Sequence, residues 1–324
     1  MRETCERPVG QDDYIRISVA LLIPSKLCGV SLYTREHDGA PMSLFRGPDY
    51  SIDVEDVRRL KAGSRKLYVS STEHQEFQAY LRENLDETLL DESLDVTHRF
   101  TLLNAVVRDV LSEAFENGNV DEAVATTADL GKRTVDLISR DDAVASELYA
   151  VLHHDYHTFT HSANVSYYCV MLAKELGITS ENELNQIAMG ALLHDLGKLE
   201  IPESILTKPG KLTEREFDVI KTHPTVGFRQ LCERQDLNYA QLMMVYQHHE
   251  RLDGTGYPVR IGAKEIHSWA KICAVADVFE ALTSNRPYRA GMSFDDAFRI
   301  MDRQSTTGFD KDIYRCWKNA MQQN

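Results

Sequence analysis

The stretch ALLHDLGK, residues 191–198, joins an apolar, helix-like segment to an adjacent histidine and aspartate. An imidazole and a carboxylate at neighbouring positions can bind a metal ion together, and a carboxylate can also bridge two ions. Gly197 is placed to cap the end of the helix, with Lys198 just beyond it. The stretch therefore predicts a helix that ends at a metal-binding pair, His194 and Asp195.

Further residues of ligand-forming types occur on both sides of this pair, at intervals of about 25 to 33 residues. Such an interval holds one helix and its connection, so each ligand would come from a different helix of a bundle. Five imidazoles and two carboxylates exceed what one tetrahedral zinc needs, and mixed nitrogen and oxygen donors suit a pair of iron or manganese ions. The set comprises His161, His194, Asp195, His223, His248, His249 and Asp277.

The composition bounds the class of protein. The chain has 324 residues and a formal charge of −14, which predicts about two domains and argues against nonspecific binding to long nucleic acid. The sequence has no apolar run of about 20 residues and no signal-peptide stretch, so we expect a cytoplasmic protein without a membrane span. Its six cysteines include no CxxC pair, which argues against a disulfide framework and a thiolate zinc site.

Two patterns divide the chain. In residues 1–92, apolar residues alternate over 15–23 as on a strand. After them come a turn-rich stretch, a short helix near 54–61, a strand near 66–69 and a helix to about 90. We expect a small α/β module that docks, dimerises or senses a signal. Helical periodicity then predicts connecting helices over 93–140 and a mainly α, multi-helix domain over 141–324. A homodimer through the module or the connecting helices is compatible with the sequence, although no residue requires it.

The order of the motifs identifies a resemblance. The pattern HDxGK at 194–198 is followed by His223-Pro224, by HHERLDGTGYP at 248–258, and by Asp277 with ALTSNRPYR at 281–289. This order closely resembles the HD-GYP family of HD-superfamily phosphodiesterases, which hydrolyse the bacterial second messenger cyclic di-GMP. The resemblance covers about residues 141–324 and implies an HD-superfamily helix bundle there; it does not extend to the first ninety residues.

The resemblance implies roles for individual residues. Asp195 would bridge two divalent ions, iron or manganese, and Lys198 would bind phosphate, so that His194, Asp195 and Lys198 form the catalytic group. Asn285 stands where the family usually has Asp, and we expect a mild effect. The implied ligands are His161, His194, Asp195 and Asp277 for one metal and His223, His248 and His249 for the second; the implied substrate contacts are Lys198, Gly256, Tyr257, Pro258, Arg286 and Arg289.

His157 precedes His161 by one helical turn, so both imidazoles can face one cavity. Some family members bind a third metal through a carboxylate at this position; His157 is either such a ligand or a residue of the pocket wall.

We expect a hydroxide that bridges the metals to hydrolyse cyclic di-GMP to linear pGpG. Cleavage on to GMP would depend on a third metal.

Other functions remain open from the sequence. The nearest is an HD phosphohydrolase that acts on another nucleotide, including cyclic GMP-AMP. A second is a receptor that binds a cyclic dinucleotide without turnover, although a complete set of hydrolytic groups argues against it. A redox di-iron oxygenase is more remote. The sequence identifies neither the metal, nor the signal that the N-terminal module senses, nor any signalling partner.

Overall fold

The structure is a computed structural model that describes residues 14–26, 28–37, 40–62, 66–116, 120–140, 158–285, 290–304 and 307–322. Its contacts divide the chain into two compact units, one up to Val106 and the other from Val107 onward. Within the described ranges, no helix combines the length and the apolar character needed to cross a bilayer.

The first unit is built on a four-stranded antiparallel sheet in the order β1-β4-β2-β3. Its helices α1 and α2 follow the third and fourth strands in the sequence. The sheet buries Leu32, Leu67 and Val69. The elements are β1 (Tyr14–Ile17), β2 (Leu32–Arg35), β3 (Ser43–Arg46), α1 (Val54–Ala62), β4 (Lys66–Ser70) and α2 (His74–Leu90).

Two details of this unit differ from the sequence prediction. The alternating stretch 15–23 is a strand only to Ile17, because the Ser18 hydroxyl accepts a hydrogen bond from the Ala20 amide at 3.2 Å and caps a 3₁₀ turn. Strand β3 lies in the stretch predicted as turns. Its Arg46 forms a bidentate ion pair with Asp56, which is buried, at 2.6 Å.

The second unit is helical, as the periodicity predicts. Its centre is formed by α5, which packs against α6 and α11, and by α10, which packs against α6, α9 and α11. A 3₁₀ turn over Leu196–Glu200 packs against α9. The helices are α3 (Val96–Glu116), within which the division falls, α4 (Val120–Arg140), α5 (Thr158–Glu175), α6 (Glu181–Leu193), α7 (Glu203–Leu206), α8 (Glu214–Ile220), α9 (His223–Leu231), α10 (Tyr239–Gln247), α11 (Ser268–Thr283), α12 (Phe294–Gln304) and α13 (Lys311–Gln322).

A cluster of three buried aromatic rings joins α5, α11 and α13. The ring centroids of Tyr168, Phe279 and Trp317 lie 5.2 to 5.6 Å apart, in edge-to-face arrangements that aromatic pairs favour. Because His161 is on α5 and Asp277 is on α11, the cluster fixes the relative position of two predicted metal ligands.

Gly197 is not a helix cap. Helix α6 ends at Leu193 with His194 as its C-cap, and Gly197 lies buried in the 3₁₀ turn that follows. A Cβ atom on Gly197 would lie 2.1 Å from the His223 carbonyl oxygen and 2.6 Å from the Gly227 amide nitrogen. Glycine is therefore required here because the backbone of α9 packs directly against this turn.

We predict that Gly197→Ala displaces α9, and with it His223, and lowers the free energy of unfolding by about 1–3 kcal/mol, as overpacking of a core does. Chemical denaturation and metal analysis after purification measure the two effects. Gly262→Ala is the control, since a Cβ there would meet only the Glu265 carboxylate at 4.0 Å. Equal stability and metal content in both variants would contradict the prediction.

Candidate metal centre

Three predicted ligands are oriented by their own backbone. Because a carbonyl oxygen can only accept, Nδ1 of each of these histidines carries a proton, which leaves Nε2 as the nitrogen that can bind a metal. All three side chains are fully buried. The distances from Nδ1 to the carbonyl oxygen are 2.6 Å from His194 to Ala191, 2.8 Å from His223 to Ile220, and 3.0 Å from His248 to Val245.

The two carboxylate oxygens of Asp195 face two different histidine groups. Its Oδ2 lies 3.4 Å from Nε2 of His161 and 3.4 Å from Nε2 of His194. Its Oδ1 lies 3.2 Å from Nε2 of His223 and 3.8 Å from Nε2 of His248. This is the arrangement expected of a carboxylate that bridges two metal ions.

The donor atoms form two groups that share Asp195. One contains His161 and His194, and the other contains His223, His248 and His249; within each group the donor atoms lie within 4.8 Å of one another. Asp277 belongs to neither group, but its Oδ1 lies 3.1 Å from His161 Nε2 and its Oδ2 lies 3.7 Å from His249 Nδ1. The helix bundle thus brings together all seven predicted ligands.

Unsatisfied atoms in this cluster fit a pair of divalent cations. His194 Nε2 and Asp195 Oδ1 are buried, and no described residue provides either atom with a hydrogen-bond partner. The Nε2 atoms of His223 and His248 lie 3.2 Å apart, although both rings carry their proton on Nδ1. Two facing lone pairs and an unpaired carboxylate oxygen are costly when buried, unless a cation lies between them.

The electrostatics of Asp195, His248 and His249 favour the forms of these side chains that bind metal. Burial raises the pKa of Asp195, but the charges of Lys198 and His194 outweigh it and hold the pKa well below its usual range. Burial lowers the pKa of His248 and His249 well below the ordinary value, so both are neutral. Carboxylates must be ionised and imidazoles neutral to bind a metal ion.

Without metal, the first histidine group holds protons instead. Burial lowers the pKa of His194, but the Asp195 charge outweighs it and raises the pKa to about 9. Burial likewise opposes protonation of His161, while the Glu280 charge and hydrogen bonds to carboxylates raise its pKa well above the ordinary value. Metal binding by these two histidines therefore releases protons.

Glu280 is a site residue that the sequence analysis missed. It is buried in α11, and its Oε2 pairs with His161 Nδ1, so that Nε2 of the same ring faces Asp195 and Asp277. Its Oε1 accepts a hydrogen bond from Asn164 Nδ2 at 3.0 Å. A signal for it exists in the sequence, since it lies three residues after Asp277 and hence on the same face of the helix.

We predict that Glu280→Gln lowers metal affinity about 10- to 100-fold, because the carboxylate that orients His161 and raises its basicity is lost. Competition with a chelator, followed by metal analysis, measures this change. Glu203→Gln, on an exposed side chain of α7, is the matched control. Equal affinities in the two variants would show that Glu280 does not support the ligand.

The predicted substrate contacts lie at the edge of the metal cluster. Lys198 Nζ donates a hydrogen bond to Asp195 Oδ2, and its side chain is 24% exposed. The Tyr257 ring packs on the His249 ring, with centroids 4.6 Å apart and an angle of 31°. Gly256 is buried, and a Cβ atom there would lie 2.4 Å from the Arg251 amide nitrogen. Pro258 follows a cis peptide bond and lines a cavity beside Tyr257.

Three of the predicted residues, His157, Arg286 and Arg289, lie outside the described residues. Asn285, which departs from the usual family sequence, accepts a hydrogen bond from the Gly291 amide through Oδ1 at 2.9 Å. An aspartate oxygen can accept the same bond, and the mild effect of this change stays a prediction.

Comparison with known proteins places the chain in a family. Residues 147–313 match the HD domain model, and the chain belongs to the HD domain family. This agrees with the resemblance in the sequence motifs. The chain also has the fold of the HDG"Y"P protein Bd1817 from Bdellovibrio bacteriovorus, with a TM-score of 0.68 and 23% identity over 95% of this chain and 99% of the other.

Curated relatives match part of the chain. The chain is 31% identical to a cyclic di-GMP phosphodiesterase of Pseudomonas aeruginosa over 70% of this chain and 55% of the relative. It is 41% identical to the cyclic di-GMP phosphodiesterase response regulator RpfG of Xanthomonas campestris over 50% and 43%. It is also 41% identical to the 3'3'-cGAMP-specific phosphodiesterase 1 of Vibrio cholerae over 47% and 35%. The chain thus spans about half the length of these relatives or less.

Proposed function

We propose that this protein hydrolyses cyclic di-GMP to linear pGpG in a reaction that depends on two divalent metal ions. The observation that carries the proposal is Asp195, whose two oxygens face separate groups of histidines inside one buried cluster. Two of the relatives named above are cyclic di-GMP phosphodiesterases, which supports this choice of substrate.

The donor set suits iron or manganese. It combines imidazole nitrogens with carboxylate oxygens and offers no thiolate among the described donor groups. One ion would be held by His161, His194 and Asp277, the other by His223, His248 and His249, with Asp195 between them. When bound, two such ions would lower the pKa of water toward neutrality and neutralise charge on the attacked phosphate.

Lys198 lies where the buried cluster meets solvent. Its ammonium pairs with Asp195 Oδ2, so a phosphodiester that approaches Asp195 also meets this fixed positive charge. Such a charge stabilises the additional negative charge that develops on phosphate oxygens during displacement. Tyr257 complements it as a neutral donor, since burial raises the pKa of its phenol well above the ordinary value.

The remaining residue roles extend this proposal. Arg286 and Arg289 would hold phosphate or guanine. His157 would supply a ligand to a third metal, on which further cleavage of pGpG to GMP would depend. Residues 141–324 would form the catalytic domain, and residues 1–92 would form a docking, dimerisation or sensory module that residues 93–140 connect to it.

Cyclic GMP-AMP is a second candidate substrate. It is favoured by the Vibrio cholerae relatives, which include cGAMP-specific phosphodiesterases at 36% and 41% identity. Both substrates present the same type of phosphodiester to the metal centre, so the metal ligands do not distinguish them. The choice depends on contacts to the bases.

Anaerobic purification, metal analysis and chromatography of products from cyclic di-GMP and cyclic GMP-AMP test the proposal. We predict two or more ions per chain and release of the linear dinucleotide, with cyclic di-GMP as the better substrate. We predict that Asp195→Asn removes turnover, because one carboxylate oxygen is replaced by an amide group. Tight binding without product at full metal occupancy would contradict hydrolysis and indicate a receptor.

We predict that Lys198→Ala keeps both metal ions and lowers kcat/KM about 10²- to 10³-fold, the usual effect of removing one group that stabilises transition-state charge. Steady-state kinetics and metal analysis of the same preparation separate the two properties. Lys211→Ala removes an exposed lysine elsewhere in the unit and serves as the control. Loss of metal in Lys198→Ala would instead assign the lysine a structural role.

A further inference from the structure

A cavity of about 420 Å³ adjoins the metal centre. Helices α8 and α9 form one wall, and the loop that follows His248 and His249 forms the other. The size is within the range of pockets that hold small molecules, about 300–1,000 Å³. The charged residues of its lining are Asp218, Lys221, Arg229 and Arg260, and Tyr257 and Pro258 line it beside them.

The cavity is positively charged in a protein that is acidic as a whole. Arg229 and Arg260 are exposed, and no carboxylate among the described residues pairs with either guanidinium. Lys221 contributes less, because its ammonium pairs with Asp218 at 2.6 Å. Two guanidinium groups in one cavity, neither paired with a carboxylate of the described residues, favour an anionic ligand.

The position of Arg260 is held by a buried carboxylate. Glu250 Oε1 accepts hydrogen bonds from the Val259 amide at 2.7 Å and from the Arg260 amide at 3.0 Å. These bonds hold Arg260 at φ 66°, a left-handed conformation that costs a residue with a Cβ about 1–2 kcal/mol. Glu250 thus fixes the point at which the Arg260 side chain leaves the loop and lines the cavity.

Tyr257 connects this cavity to the metal centre. One side of its ring packs on His249, and its edge faces His223 at 6.4 Å between ring centroids. Thr222, on the opposite wall, directly precedes His223. A ligand in the cavity is therefore one side chain away from two metal ligands.

We propose that this cavity binds the half of a cyclic dinucleotide that is not being hydrolysed, which rests on the proposed function. A cyclic dinucleotide has two phosphodiesters, and only one of them can occupy the metal centre at a time. The second phosphate would bind to Arg229 and Arg260, and its nucleoside would pack against Tyr257 and Pro258. The two guanidinium groups would then determine the affinity for the cyclic dinucleotide and take no part in bond cleavage.

The test compares wild-type protein with the Arg229→Ala/Arg260→Ala double variant on two substrates. We expect the KM for cyclic di-GMP to rise about tenfold or more, with kcat within about twofold, because each lost hydrogen bond to a charged group weakens binding by about that factor or more. Turnover of bis(p-nitrophenyl) phosphate, which has no second phosphate, should not change. Arg215→Ala, an exposed arginine on α8 that does not line the cavity, is the matched control.

A binding measurement makes the test independent of turnover. Calorimetry of cyclic di-GMP with chelator-treated protein should show weaker binding by the double variant than by wild type and Arg215→Ala. Unchanged affinity and KM in the double variant would overturn the subsite and leave the phosphodiesterase proposal intact. An equal loss of activity on cyclic di-GMP and on bis(p-nitrophenyl) phosphate would do the same. Wild-type protein that hydrolyses only bis(p-nitrophenyl) phosphate would overturn the proposed hydrolysis of cyclic di-GMP, and the calorimetry would then decide the subsite.

Discussion

The contact on which the metal centre depends is that of the Asp195 carboxylate with two groups of imidazoles. One oxygen faces His161 and His194, and the other faces His223 and His248. A buried, ionised carboxylate is costly unless it is surrounded by cations or donors. Asp195 is such a carboxylate, and the helices that pack around it place imidazole and carboxylate ligands beside it. Divalent ions bound by these ligands and by Asp195 would balance its charge.

Several local features hold these groups in place. Backbone carbonyls at the ends of α6, α8 and α10 fix the tautomer of three histidines, and Glu280 does the same for a fourth. The absence of a side chain at Gly197 lets α9 approach the turn that follows Asp195. The aromatic cluster then fixes α5 against α11. Ligand orientation is therefore determined before any ion binds, which reduces the entropy cost of binding.

Much of the site could be predicted because its residues are chemically unusual. Histidines and aspartates at helix-length intervals predict inward-facing ligands, and the structure brings all seven together. Glu280 was missed since a lone glutamate on a helix is normally a solvated residue. Gly197 was assigned as a cap, a common role for glycine, because contact with α9 is a tertiary property that the local sequence does not contain. Strand β3 was missed for the same reason, since its exposed Leu44 and adjacent turn residues give no clear alternation.

A crystal structure of the anaerobically purified protein, with anomalous scattering to locate and identify the metals, would show whether Asp195 bridges two ions. We expect two ions about 3.5–4 Å apart, as in other two-metal sites, each bound to a different oxygen of Asp195. A single ion, or a pair of ions that Asp195 does not bridge, would contradict this expectation.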